Sequence, residues 1–358
     1  MNLRTLTRGA MILPLALAVT VAVSTDSEAQ KRLRWKMQSA FGSKILHLGP
    51  SAIRFSDKVY SMSGEKFRIK FHEPGALVPA LETFDAVSKG AIESSWTSPG
   101  YHAGRYPGLA FMTAVPFGPG LGEYMAWKWF GGGNEIRDRV YADHDLLGFD
   151  SFGIGPETSG WFKEPIVSLD QMKGLKMRFF GLGGRVLSKI GVSTQLLAGG
   201  DIYPALERGV IDATEFSLPT IDIGYGFYQI AKHNYFPGWH QQVSIGEFLV
   251  NKTLFEGLPQ AYQDMIDAAL GWQILYTYAE TEGLNPDAMM EMQTKYGVTN
   301  YRWTDEQLGV FEQAWRDLLE EESAKDPLFK EFADSYLGFR EKYKIWGDAQ
   351  ALKGTYLD

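Results

Sequence analysis

Cysteine is absent from the 358 residues, which removes disulfides, thiolate metal sites and cysteine nucleophiles from consideration. The histidines, at 47, 72, 102, 144, 233 and 240, show no HExxH or comparable metal spacing. There is also no Gly-x-Ser-x-Gly elbow and no Walker loop, the marks of a hydrolase and of a P-loop nucleotide site. Positive charge is in short supply: 35 Lys and Arg face 43 Asp and Glu, for a formal net charge of −8. That balance argues against nucleic acid or an anionic membrane surface as a partner. Any small anion must instead be held by local cations. Apolar runs long enough for a comfortable membrane span are missing too, and no internal repeat or low-complexity tract is visible.

The longest apolar run, Met11 to Val23, follows Arg4 and Arg8 and precedes the small-x-small sequence Ser27-Glu28-Ala29. This is the layout of a secretory signal peptide at 1–29, cleaved near Ala29. With no cysteine after the run, a lipid anchor is excluded, and the mature chain is expected to be exported and soluble. Its net charge stays at −8, because Arg4 and Arg8 balance Asp26 and Glu28.

The chain that follows is long enough for two lobes with a sizeable core. Strand patterns at 34–39, 66–71 and 91–96 alternate with helical patterns at 46–63 and 79–88, which implies a largely parallel sheet. The loop after the third strand carries Thr97, Ser98 and Tyr101, and such loops line clefts. A helix is expected at 120–129, stopped by Gly131 to Gly133. An alternating strand at 146–154 then runs into the Gly/Pro-rich stretch 155–160, suited to a hinge.

The stretch 172–216 organises the rest. A short strand at 176–180 meets Gly181, Gly183 and Gly184, read as a turn, before a helix at 185–190. A second apolar piece leads to Asp201, a candidate helix cap, and Gly209 ends that helix before a strand at 210–216. Such α/β units bind ligands at the carboxyl ends of their strands. Arg178 in the first strand and Glu215 at the end of the last would therefore face one crevice. A buried guanidinium requires an anion. The sequence alone leaves open whether that anion is a neighbouring carboxylate or a ligand's. Aromatic Tyr235 to Trp239 and a returning strand at 243–251 follow. From Pro259 onward the pattern is helical to about Trp346.

Two long segments, Lys-Gly-Leu-Lys-Met-Arg at 173–178 and Ala-Gly-Gly-Asp-Ile-Tyr-Pro-Ala-Leu-Glu-Arg-Gly-Val-Ile-Asp-Ala-Thr-Glu at 198–215, resemble the signature of periplasmic solute-binding proteins of TRAP transporters. Val78 to Leu81, Ala114 to Gly118, Gly160 to Phe162 and Tyr235 to Trp239 match in the same order. The branch that captures 2-oxo acids is the most similar. The resemblance implies an α/β, two-lobed periplasmic binding protein fold with a hinge, plus long C-terminal helices. Lobe I would hold 30–154 and 244–300, lobe II 155–243. The helices of 301–358 would pack on their own lobe or be swapped in a homodimer.

The same resemblance implies the site. Arg178 would clamp the carboxylate of a small organic acid anion such as a 2-oxo or 2-hydroxy monocarboxylate. Thr97, Ser98, Tyr101, Thr158, Phe216 and Gln241 would surround it. Glu157, Glu215, the Phe216 carbonyl and Gln241 would hold a metal ion, and oxygen-only ligation favours Ca²⁺ or Na⁺ over zinc. The ion would bridge protein and ligand, and the loaded protein would serve a membrane permease. Here the sequence departs from the branch: Glu157 stands where glutamine is usual, Gln241 where glutamate is usual, and Phe216 where tryptophan is usual. His102 and His240 fall near the cleft by sequence.

The competing reading is an oxidoreductase using Gly181-Leu182-Gly183-Gly184 as a dinucleotide fingerprint. Val186 occupies the third glycine position of that fingerprint, and Asp201 opens a helix where the acidic residue should end a strand. Both details argue against it.

Overall fold

The computed structural model describes residues 32–351, and the expected signal peptide at 1–29 lies outside the described residues. Two sheets carry the molecule. In the first, β1 (Leu33–Ser39) lies between parallel neighbours β2 (Phe67–His72) and β3 (Ser94–Thr97). Along β1, Arg34 and Lys36 face out while Trp35 and Met37 are buried, the period-2 pattern of a half-covered strand. The helix α1 (Leu48–Met62) covers this sheet with Leu48, Ala52, Phe55 and Val59, apolar at helical spacing. A short α2 (Thr83–Ser88) follows β2, and α3 (Leu121–Phe130) and α4 (Gly133–Ala142) precede β4 (Leu146–Ile154). The glycines at 131–133 therefore separate two helices, the second of which the sequence reading did not include.

After β4 the chain crosses to the second sheet through 155–159. That sheet holds β5 (Gly160–Phe162), β6 (Lys176–Arg178), β7 (Ser193–Gln195), β8 (Ala213–Thr214) and β9 (His233–Phe236). Between them lie α5 (Gly181–Lys189), α6 (Gly199–Glu207) and α7 (Pro219–Tyr225). The glycines at 181, 183 and 184 belong to α5 instead of forming a turn before it. A Cβ on Gly183 would stand 2.6 Å from that of His240 and 2.7 Å from the Phe179 ring, so close packing requires glycine there. Asp201 lies in the first turn of α6, one of the positions favourable for an acidic residue, and Ala198 is the N-cap, without a side-chain bond.

The chain then returns. The strand β10 (Ser244–Asn251), buried along its whole length, runs antiparallel between β3 and β4 and makes the first sheet mixed. Beyond α8 (Lys252–Glu256), α9 (Gln260–Thr294) continues through Gly271, Gly283 and Pro286 and packs against α1, β4 and α7. It thus touches elements of both sheets. β11 (Thr299–Arg302) extends the second sheet beside β9. The helices α10 (Asp305–Lys325) and α11 (Pro327–Gln350) complete the described chain. A Thr304–Gln307 capping box opens the first of them, and an Asp326 cap the second.

Candidate functional site

A small cavity of about 30 Å³ lies between the two sheets, with room for a compact ligand only. Phe41, Leu48, Ser98, Tyr101, Phe152, Ile154 and Ser244 line it from the first sheet and its loops. Glu157, Arg178, Phe180, Phe216, Ser217 and Gln241 line it from the second. Most of these positions follow the carboxyl end of a strand, as expected for an α/β crevice.

Arg178 ends β6 and is 1 % exposed. Its Nη1 donates to the Glu215 carbonyl at 2.7 Å and to Glu215 Oε2 at 3.0 Å, and Nε donates to the Leu197 carbonyl at 3.3 Å. The guanidinium also lies over the Phe216 ring, 5.1 Å from its centre. Nη2 has no protein acceptor among the described residues. The arginine is therefore paired with a neighbouring carboxylate and also lines the cavity.

The acidic side is assembled by main-chain bonds. Glu157 N–H donates to the Gln241 carbonyl at 3.1 Å, Thr158 N–H to Ser217 at 3.1 Å, and Ser159 N–H to Tyr235 at 2.7 Å. This zipper fixes the 157–159 loop against the segment after β8 and the Trp239 turn. Glu215 Oε2 also accepts the Phe180 N–H at 3.0 Å, while its Oε1 and Oε2 of Glu157 are buried with no hydrogen-bond partner.

His240 completes the cluster. Its Nε2 stands 3.5 Å from Glu157 Oε2 and 3.8 Å from Glu215 Oε1, longer than a hydrogen bond, and both ring nitrogens are without partners. Ligand atoms of Glu157, Glu215 and His240 all lie within 4.8 Å of one another. Burial, aided by the Glu215 charge, pushes the Glu157 carboxyl up to about 8. On Glu215, burial raises the pKa, but Arg178 and His240 together hold it below the usual glutamate value. On His240, burial works against the charged form, yet the two glutamates outweigh it and push the imidazole up to about 9. Unpaired buried carboxyl oxygens at short mutual distances describe a cradle that fits a cation, which would take the place of the protons on Glu157 and His240. The histidine lacked any motif spacing; its adjacency to Trp239 and Gln241 was the one sequence signal.

Not every expected residue reaches the cavity. Thr97 is buried within β3, paired across the ladder with Glu247. The Thr158 hydroxyl turns toward Asp222 Oδ2 at 3.5 Å, behind the wall. His102 pairs with buried Glu247 at 3.2 Å. None of the three lines the cavity. Sequence reasoning passed over Asp222, a buried carboxylate that accepts from Trp161 Nε1 at 2.7 Å and from Ser217 N–H at 3.1 Å. Phe41, Leu48, Phe152 and Ile154, the apolar wall, carried no signal beyond ordinary core character.

Gly181 to Gly184 form the first turn of α5, and Gly183 is covered by Phe179 and His240. The close approach of a pyrophosphate is therefore blocked at Gly183.

The sequence profile of bacterial extracellular solute-binding proteins, family 7, matches residues 44–326. A monocarboxylate 2-oxoacid-binding periplasmic protein of Nostoc is 34 % identical over 320 residues, 89 % of this chain and 87 % of that one. Among solved structures, a TRAP transporter solute-binding protein from Bordetella bronchiseptica superposes with a TM-score of 0.86 at 32 % identity, covering 89 % of this chain and 95 % of the other. That protein is a mixed-occupancy dimer, one active site holding calcium and picolinate and the other empty. A TRAP solute-binding protein from Colwellia psychrerythraea, with bound calcium and pyruvate, gives 0.84 at 30 % identity, over 89 % and 98 % of the two chains. One from Pseudoalteromonas atlantica, with sodium and pyruvate, gives 0.85 at 28 %, over 89 % and 97 %.

Proposed function

This chain belongs to the bacterial extracellular solute-binding proteins of family 7, and on that premise we propose that it captures a small 2-oxo or 2-hydroxy monocarboxylate together with a hard cation. It is a substrate-binding transport protein and not an enzyme, and its place is outside the cytoplasm. The acid it binds is handed to the membrane permease of a TRAP transporter.

One observation carries the reading: the buried Arg178 guanidinium and Glu157 carboxyl line one small cavity, and Glu215, with a second unpaired buried oxygen, lies directly beside them. Arg178 offers Nη2 to the ligand carboxylate. Glu157, Glu215, the Phe216 carbonyl and Gln241 hold the cation, Ca²⁺ or Na⁺, with His240 beside it. Bound there, the ion offsets the repulsion between the glutamates and an anionic ligand. Ser98, Tyr101 and Phe216 shape the remainder, and the halves built on the two sheets close over the ligand by a population shift. The relatives with pyruvate and calcium or sodium support this choice of ligand and ion.

Export through a signal peptide cut near Ala29 is part of the same reading, checked by N-terminal sequencing of the mature protein. So is a homodimer built through α11, whose Leu337, Ile345 and Trp346 are exposed at 45, 81 and 59 %. Size-exclusion chromatography with light scattering, before and after removal of residues 338–358, tests it.

The deciding experiment is a thermal-shift screen of small oxo, hydroxy and dicarboxylic acids, with and without chelator and with NAD as a control. A rise in Tm with 2-oxo or 2-hydroxy monocarboxylates, weakened by chelator, is expected. A response to NAD alone, or to no acid at all, overturns the proposal.

A further inference from the structure

Away from the cavity, one polar chain crosses from the first sheet's helix to the second's. His47 precedes α1, with a backbone φ of 64°. Its side chain is 1 % exposed. Its Nδ1 lies 2.9 Å from Glu280 Oε2 on α9, and its Nε2 lies 3.0 Å from the Thr220 hydroxyl on α7. Each flank is anchored separately. Arg54 of α1 grips Glu280 with Nη1 and Nη2 at 3.2 and 3.0 Å. Thr220 donates its hydroxyl to Asn285 Oδ1 of α9 at 3.1 Å. Through Arg54–Glu280 and Thr220–Asn285, both α1 and α7 would stay attached to α9 without His47. Among the described residues, His47–Thr220 is the hydrogen bond that joins the start of α1 to α7 directly.

The location gives that bond a role. Leu48, next to His47, lines the ligand cavity, as do Phe216 and Ser217, just before α7. Bringing Leu48 against Phe216 and Ser217 over a ligand is the same movement that brings His47 to Thr220. A non-glycine residue with positive φ is strained and persists where its surroundings demand it. Here that conformation aims the ring across the gap.

We propose that His47 and Thr220 form a latch between the two halves, setting ligand affinity without touching ligand or ion. The proposal rests on the reading that the halves close over a ligand. A bond present in the closed form, with or without ligand, must break on opening, so it slows dissociation and leaves association nearly unchanged.

Two variants test it. Thr220→Val removes the hydroxyl at constant shape. His47→Asn keeps a polar side chain but is too short to reach α7. With pyruvate and calcium as the probe, each is expected to dissociate about tenfold faster, the loss of one buried hydrogen bond. Association should stay within about twofold, and the ligand-free Tm should be nearly unchanged. The two substitutions share the His47–Thr220 bond, though each also removes one tether to α9 (Thr220–Asn285 or His47–Glu280), so the double variant should lose clearly less than the product of the two single losses. Dissociation rates equal to wild type, or additive losses in the double variant, overturn the latch.

A second arm needs no ligand. The chain has no cysteine, so Ala76→Cys and Glu207→Cys, both at exposed positions on opposite halves, carry spin labels uniquely. Thr220→Val should lower the fraction at the short distance in ligand-free protein, and identical distance distributions overturn the latch. Failure of wild type to bind any acid would instead count against the functional reading, with this arm still deciding on the latch.

Discussion

Arg178 Nη1 lies 2.7 Å from the main-chain oxygen of Glu215 and 3.0 Å from its Oε2. One nitrogen of the fork is thus spent on positioning, while the other faces the cavity. Removing the whole side chain would leave the Glu215 carboxylate buried without its partner, at a cost of about 3–5 kcal/mol. Arg178→Lys is the cleaner test. It keeps a cation beside Glu215 but lacks the planar fork. Its ligand-free Tm should fall by only a few degrees, while pyruvate-induced stabilisation disappears. A lysine variant that binds as tightly as wild type in calorimetry would show that Arg178 is purely structural.

Cation binding should depend on pH. In the ion-free site Glu157 is pushed up to about 8 and His240 up to about 9. Both groups hold protons more tightly folded than unfolded, so their contribution to stability is complete at low pH and fades as pH rises through those values. The ion-free protein should therefore lose Tm progressively from about pH 4.5, the ordinary glutamate value, to about 9. Calcium, which competes with these protons, should bind more tightly over the same range and restore the loss. Calorimetry in buffers of different ionisation enthalpy would register proton release near pH 7. Its absence would separate these side chains from the ion.

Glu157→Gln changes the charge count of the cradle from two carboxylates to one. Calcium affinity should drop about a hundredfold and sodium affinity much less, since a divalent ion relies more on carboxylate charge. Competition titration of the two ions reads the ratio. An unchanged calcium affinity would place the ion away from Glu157.

Gly100, in the loop after β3, faces the Phe180 ring across the cavity mouth so closely that a Cβ there would collide with it. Gly100→Val should obstruct closure while sparing each half. The expected result is at least a thirtyfold loss of affinity with a ligand-free Tm within a few degrees of wild type. Small-angle scattering should show no compaction on adding ligand. Full affinity in this variant would mean the 100–180 contact is not needed for closure.

Much of this was legible in the chain itself. The periodicities located α1, β4 and β10, and the run beyond Pro259, read as helical throughout, emerged as α9 to α11 with the strand β11 between the first two. Strand-end positions named Arg178 and Glu215, and the family resemblance added Glu157 and Gln241; all four line the cavity or its acidic wall. Thr97 and Thr158 were placed by the same reasoning but turn into the interior. One residue along a strand or turn reverses a side chain's direction, and local sequence does not register which face the cavity will occupy.

Composition and residue order determined by themselves which chemistries were unavailable, that the fold alternates strand and helix, and that a lone arginine near acidic strand ends needed an anion. Only the tertiary structure decided that Glu215 already pairs with Arg178, that His240 stands between two glutamates, and that His47 reaches Thr220 across 173 residues of chain. Those relations join segments far apart in sequence. They are settled by how two sheets and α9 pack together, a matter of three-dimensional distance that no local pattern encodes.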